Sequence, residues 1–217
     1  GSHAEARSLH ERALAIREKA LGLEHPDVGQ SLNNLATLLK DQGSYAEARP
    51  LYERSLAIRE KALGPEHPDV AHSLNNLADL LETQGSYAEA RPLYERSLAI
   101  REKVLGPEHS DVAGSLNNLA NALKGQGAYA EARPLFERSL AIYEKTHGPE
   151  HPRVALVLNN LAGLLEAQGS YAEALPLMER ALAIREKLLG PNHPAVASSL
   201  NNLAGRLRAQ GSYAEAR

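Results

Sequence analysis

One period dominates the chain and constrains its fold more than any other feature. Tyr45, Tyr87, Tyr129, Tyr171 and Tyr213 stand 42 residues apart, and the asparagine pairs Asn33-Asn34, Asn75-Asn76, Asn117-Asn118, Asn159-Asn160 and Asn201-Asn202 keep the same spacing. Residues 22–63 and 64–105 differ at only seven positions: 23, 29, 30, 37, 40, 41 and 62. A unit copied this closely cannot bury its apolar face alone, so the copies must stack into a solenoid and not close into one globule.

Each unit reads as two helices. Val28, Leu32, Leu35 and Leu39 recur at three- and four-residue spacing and predict a first helix from about Asp27 to Gln42. Gly43 then ends it as a left-handed cap. Ser44-Tyr45-Ala46-Glu47 has the form of a capping box, with Ser44 accepting from an early amide and Glu47 reaching back. The second helix is predicted to run to about Leu63, with Leu51, Tyr52, Ser55, Leu56 and Ile58 available for packing. Pro50, repeated as Pro92, Pro134 and Pro176, predicts a tolerated early kink. The linker Gly64-Pro65-Glu66-His67-Pro68 starts the next helix at its second proline. At 1.5 Å per residue the two helices are roughly 24 and 28 Å long.

The frame of the chain follows from the period. Residues 1–3 read as the scar of a cleaved tag, 4–21 as a lone second helix, 22–63, 64–105, 106–147 and 148–189 as full units, and 190–217 as an incomplete one. Ala4-Glu5-Ala6-Arg7 opens this stretch and Ala214-Glu215-Ala216-Arg217 closes it, so a piece of a longer array is expected. The open ends expose Leu9, Leu14 and Ile16 on one side and Val196, Leu200, Leu203 and Leu207, on a helix to about Gln210, on the other. Head-to-tail self-association is therefore expected.

Composition narrows the function classes. The absence of cysteine excludes disulfides, thiolate metal sites and cysteine nucleophiles. A net charge of -3 and nine aromatic residues lack the footprint of a nucleic-acid binder. No apolar stretch reaches the length of a membrane span, and a cytoplasmic location is the expectation. Neither a cofactor nor a catalytic constellation is expected, because any acidic residue recurs as a copy and not as a unique site.

The pattern Leu32-x-x-Leu35-Ala36-x-x-Leu39, then Gly43-x-Tyr45-x-x-Ala48-x-x-x-Tyr52, resembles the tetratricopeptide repeat in five copies. The unit is longer than the usual period of about 34 residues, and Leu32 stands where tryptophan is common. This long form, with Leu-Asn-Asn-Leu-Ala and Ala-Ile-Arg-Glu-Lys, is similar to the kinesin light chain repeat; near-identical copies point to a bacterial version. The resemblance implies an all-α, right-handed superhelical solenoid of antiparallel helix pairs. Its first helices would line a concave groove that holds peptides or partner proteins.

Copies inside one chain can be compared with each other. On a wheel at about 100° per residue with residue 30 at the origin, the apolar stripe falls between about 140° and 200°. The positions that change most lie opposite, between about -80° and +20°. They read Gln30, Thr37, Lys40, Asp41; His72, Asp79, Glu82, Thr83; Gly114, Asn121, Lys124, Gly125; Leu156, Gly163, Glu166, Ala167; and Ser198, Gly205, Arg208, Ala209. The unvarying asparagines sit on or beside this arc. An amide carries both donor and acceptor, so a row of asparagines can hold an extended peptide backbone of any sequence. The resemblance implies the same role for them. Asn33, Asn34, Asn75, Asn76, Asn117, Asn118, Asn159, Asn160, Asn201 and Asn202 are thus candidate ligand contacts, with His72, Asp79, Glu82, Asn121 and Lys124 setting preference. The alternative is that one asparagine of each pair bridges neighbouring helices while the other is solvated.

Other constellations are weaker. The linker histidines His25, His67, His109, His151 and His193 lie on separate units, so capping or turn roles are expected and a shared metal is not. The Arg59-Glu60-Lys61 run and its copies alternate in sign and read as a solvated face. Asn33 stands where the chaperone-binding subclass of these repeats carries basic residues, which argues against recognition of chaperone tails. A binding scaffold for proteins or peptides is the favoured reading, with an architectural or self-assembling spacer as its alternative.

Overall fold

Glycine and histidine punctuate the chain into ten helices among the described residues of the computed structural model, which cover residues 2–209. They are α1 (Ser2–Leu21), α2 (Pro26–Asp41), α3 (Tyr45–Leu63), α4 (Pro68–Thr83), α5 (Tyr87–Leu105), α6 (Ser110–Gly125), α7 (Tyr129–His147), α8 (Pro152–Ala167), α9 (Tyr171–Leu189) and α10 (Pro194–Ala209). First helices have 16 residues and full second helices 19, close to the lengths read from the sequence. Gln210, Tyr213 and the closing Ala214–Arg217 lie outside the described residues.

First helices end as expected. Gly43 has φ +78°, its amide donates to Lys40 O at 2.9 Å, and the Ser44 amide donates to Leu39 O at 2.9 Å. These paired bonds form a Schellman cap, and only glycine adopts the required conformation without strain.

The capping box at the next helix start does not form. Ser44 makes no side-chain bond to the helix, and Glu47 instead pairs with Arg7 on α1 at 2.8 Å. Ser44 has ψ 56°, well away from the extended conformation of a capping residue. Ala128 takes the same place before α7 with the same φ of -80° and ψ of 56°, so a hydroxyl is not needed there.

The helix that does receive a side-chain cap is the first one. His25, His67, His109 and His151 precede α2, α4, α6 and α8 with extended backbones, and each Nδ1 accepts from the amide two residues on. His193 accepts from the Ala195 amide in the same way at 3.1 Å. Second helices continue through Pro50, Pro92, Pro134 and Pro176 without interruption.

The chain forms two compact units, Gly1–Pro107 and Glu108–Arg217. In the first, α2 packs on α3 and α4 on α5, while α1 and α3 lie against the helix pair that follows them. Val28, Leu32 and Ile58 form one cluster, closed by Leu51 and by Leu14 from α1. Val70, Ala71, Leu74 and Ile100 form the next, closed by Leu93 and by Leu56 from α3. Each cluster thus draws on its own helix pair plus the helix before it, which is nearest-neighbour stacking. Leu14 is consequently packed and not part of an open stripe.

In the second unit α6 pairs with α7 and α8 with α9, and α10 lies on α9. Val196 is fully buried, again against expectation, because α9 already covers that side of α10. Leu9, Ile16 and Leu200 are exposed, whereas Leu203 and Leu207, also expected in the open stripe, are half-buried. In three of the four full pairs a buried serine rivets the second helix to the first: Ser55, Ser97 and Ser139 donate to the carbonyls of Gly29, Ala71 and Ala113 at 2.7 to 2.8 Å, while Ala181 takes this place in α9.

Candidate functional site

The asparagine pairs are wired to one another. Asn33 is only 3% exposed, and its Oδ1 accepts from Asn76 Nδ2 at 2.9 Å. In the other compact unit Asn117, also buried, accepts from Asn160 Nδ2 at the same distance. The first asparagine of one repeat therefore holds the second asparagine of the next. At these two places an asparagine bridges neighbouring first helices, and the bridge uses both kinds of asparagine.

The remaining amides are placed as follows. Asn34 is exposed and accepts from Gln30 Nε2 at 2.7 Å. Asn118 is half-buried and accepts from Asn117 Nδ2 at 3.4 Å. Asn159 donates to Ala155 O at 2.8 Å on its own helix. Asn75 is half-buried, and Asn201 and Asn202 are exposed. His72 continues the wiring, with Nε2 at 3.2 Å from Asn76 Nδ2. Burial, then the cations of Arg59 and Arg101, lowers its pKa and favours the neutral ring that can accept this bond.

Several residues of the variable arc also have partners inside the fold. Gln30 accepts from Arg59 Nη2, and at the matching place in α6 a Cβ on Gly114 would come within 3.2 Å of the Tyr143 hydroxyl. Thr37 Oγ1 lies 2.9 Å from Tyr52 OH, and Tyr94 OH donates to Glu82 Oε2 at 2.8 Å. Burial and the Glu82 carboxylate push the Tyr94 phenol up, keeping it a donor. Lys40 pairs with Asp79 of the next repeat; burial alone would lower the lysine, but the carboxylate outweighs it and the pKa is raised. Asn121 and Lys124 are half-buried on α6, and Lys124 Nζ would lie 3.7 Å from a Cβ on Gly163. Variation along this arc is therefore partly a matter of packing.

Arg59 corrects the reading of the Arg-Glu-Lys run. Its side chain is 2% exposed and donates to Ser73 Oγ at 2.8 Å and to Asp69 O at 3.1 Å on α4. Arg17 reaches Ser31 at 2.7 Å, and Arg185 reaches Ser199 at 2.6 Å, in the same manner. Glu60 is half-buried and pairs with Arg96, and Lys61 alone of the three is exposed, in a pair with Glu24. A signal for this was present in the sequence: serine stands at 31, 73, 115 and 199 wherever arginine stands at 17, 59, 101 and 185, and Val157 replaces serine where Tyr143 replaces arginine.

On the variable face of the second unit a cavity of about 250 Å³ is lined by Asn159, Gly163, Glu166, Met178, Arg185 and Arg206, among others. Gly163 and Met178 stand where the first full repeat carries the hydroxyl pair of Thr37 and Tyr52. The surface so built offers amides and charges of both signs around Ala162, Gly163 and Met178. Among the described residues no three potential metal ligands gather, and no helix is long and apolar enough to cross a membrane.

These features define a class: an all-α array of stacked helix pairs, each with a constant core and a variable outer face on the first helix. The tetratricopeptide repeat family model matches residues 1–61, 27–103, 74–145, 111–187 and 153–217, and the chain belongs to that family. Among solved structures it is similar to a putative kinesin light chain with nearly identical TPR-like repeats from Podosopora anserina. That likeness has 36% identity over 87% of this chain and 90% of the other, with a TM-score of 0.74. A single-substitution variant of the same protein gives 36% identity over 86% and 88%, at a TM-score of 0.75. BtubC (BKLC) from P. vanneervenii is similar over all of this chain and 87% of its own, with 26% identity and a TM-score of 0.82. No curated protein sequence matches the chain. The fold is thus the kinesin light chain-like form of the repeat, in a family whose members commonly act as protein-interaction scaffolds.

Proposed function

We propose that the chain is a non-catalytic scaffold that binds peptide segments or partner proteins on the face presented by its first helices. The observation that carries this reading is the separation of constant and variable positions on one helix. Val28, Leu32, Leu35 and Leu39 are buried, whereas Asn34 and Asp41 on the opposite side are exposed. Asn33 and Asn117 set the spacing of successive first helices, while Asn34, Asn75, Asn118, Asn159, Asn201 and Asn202 supply the polypeptide-facing amides. Asn76 and Asn160 use one amide hydrogen in the spacing bond and keep their carbonyls for the ligand. His72, Asp79, Glu82, Asn121 and Lys124 set side-chain preference, and a ligand of mixed charge fits their signs. No nucleic acid, lipid or cofactor is required, and the proposed setting is the cytoplasm.

A second reading, an architectural spacer without a sequence-specific ligand, is favoured by the internal wiring of the same arc, from Asn33–Asn76 to Lys40–Asp79. A peptide-array screen separates the two. Enrichment of a defined motif that is lost when Asn34 and Asn118 are replaced supports the scaffold. Uniform binding, or enrichment unaffected by those replacements, supports the spacer.

A further inference from the structure

The junction between α7 and α8 departs from the other described junctions at four places at once. Tyr143 stands where Arg59 stands, His147 where Leu63, Arg153 where Asp69 and Val157 where Ser73. The four substitutions build one column. Tyr143 stacks on His147 with ring centres 5.9 Å apart, and His147 stacks on His151 at 4.5 Å. Arg153 lies over the Tyr143 ring at 5.5 Å and donates to its hydroxyl at 3.0 Å. His151 is also the cap of α8, with Nδ1 accepting from the Arg153 amide at 3.3 Å.

At three of the four sister junctions the capping histidine has a carboxylate beside it, and at the fourth Ala195 leaves His193 with an uncharged neighbour. Asp27, Asp69 and Asp111 place an oxygen 3.9, 3.9 and 3.7 Å from Nδ1 of His25, His67 and His109. A proton on those rings ends the cap bond but gains an ion pair. At His151 the ring stacks on His147 of α7, with Tyr143 behind it and Arg153 of α8 over the Tyr143 ring, and the apolar Leu188 of α9 lines the same hollow. The linker carboxylate, Glu150, is paired with Lys187 of α9.

We propose that the Tyr143–His147–His151–Arg153 column is an acid-sensitive latch, which holds the start of α8 while His151 is neutral and releases it when the ring gains a proton. Protonated imidazole donates at both nitrogens, so Nδ1 can no longer accept from the Arg153 amide. The new charge also faces a guanidinium and a second imidazole, where three of the sister junctions offer an aspartate. The lowered pKa of His151, caused by desolvation and then by His147 and Arg153, agrees with that arrangement. With the folded value below the ordinary one, the latch stabilises the fold above that ordinary value and loses its contribution as pH falls through the folded value. This device is independent of what binds to the first helices.

The test is a histidine and amide NMR titration of the full 217-residue chain. On acidification, hydrogen-exchange protection of the Val154 amide, which donates to His151 O, falls about tenfold further than that of Val70, its counterpart after His67. Arg153→Asp, which restores the residue of the sister junctions, raises the His151 midpoint by about half a pH unit and abolishes the difference between Val154 and Val70. His147→Leu moves the midpoint the same way. Equal loss of protection at Val154 and Val70 in the natural sequence, or an unmoved His151 midpoint in Arg153→Asp, would overturn the latch.

Discussion

Asn76 Nδ2 donates to Asn33 Oδ1 at 2.9 Å, tying two consecutive first helices together across 43 residues of sequence. The bond belongs to a part-buried pair of neutral amides, so its loss exposes each partner to the full cost of an unsatisfied polar group. Asn33→Ala is expected to lower stability by about 1 to 2 kcal/mol. Asn76→Ala should cost at least as much, since it strands the buried Asn33 Oδ1, whereas Asn33→Ala leaves an Asn76 amide that water can reach. A double-mutant cycle read by urea denaturation should return a coupling of about 1 kcal/mol. Strict additivity would mean that the amides do not support one another.

Arg59 should matter far more than the residues that follow it in sequence. Truncation to alanine leaves a cavity and strands Ser73 Oγ, so Arg59→Ala is expected to cost about 2 to 3 kcal/mol. Lys61→Ala removes only an exposed ion pair and should cost less than about 0.5 kcal/mol. Denaturation midpoints of the two variants, compared at one salt concentration, check the order.

Helix starts respond oppositely to what the capping-box pattern suggests. Ser44→Ala is expected to be nearly neutral, because alanine already occupies that place as Ala128. His67→Ala removes the side-chain acceptor of the Asp69 amide and should cost about 1 kcal/mol. Thermal melts of the two single variants measure the contrast directly. A larger shift for Ser44→Ala than for His67→Ala would contradict it.

These contrasts show which links were legible in the sequence. The period, the helix pairs and the Schellman glycines are local or repeated signals, and they stand in the structure where the residues placed them. The capping box failed because a four-residue pattern does not state the backbone angle at Ser44. The bridge at Asn33 is hidden for another reason. A helical wheel ranks directions around one helix, but the neighbour that covers Asn33 is the equivalent helix one repeat later. Arg59 was hidden by its own run, since alternating charge resembles a solvated face even when the long aliphatic stem carries the head group between helices. Comparing copies at 59 and 73 together, and not singly, would have revealed it.

The 217-residue chain should associate weakly through its ends. Ile16 on α1 is 57% exposed, whereas Ile58 at the matching position of α3 is 6% exposed. Leu200 on α10 is 44% exposed, whereas Leu32 on α2 is fully buried. The two surfaces are the halves of one repeat, so their contact is head-to-tail and does not close. Light scattering is expected to show mass rising with concentration, and Ile16→Asp should suppress the rise. A monomeric mass up to millimolar protein would contradict this expectation.

The central claim is that the exposed side of the first helices holds polypeptide through its amides. Isothermal titration of the peptide most enriched on an array, against the natural chain and against Asn34→Ala/Asn118→Ala, tests it most directly. Two lost hydrogen bonds of about 1 kcal/mol each should weaken binding by at least about tenfold. Equal affinity for the two proteins would contradict the claim.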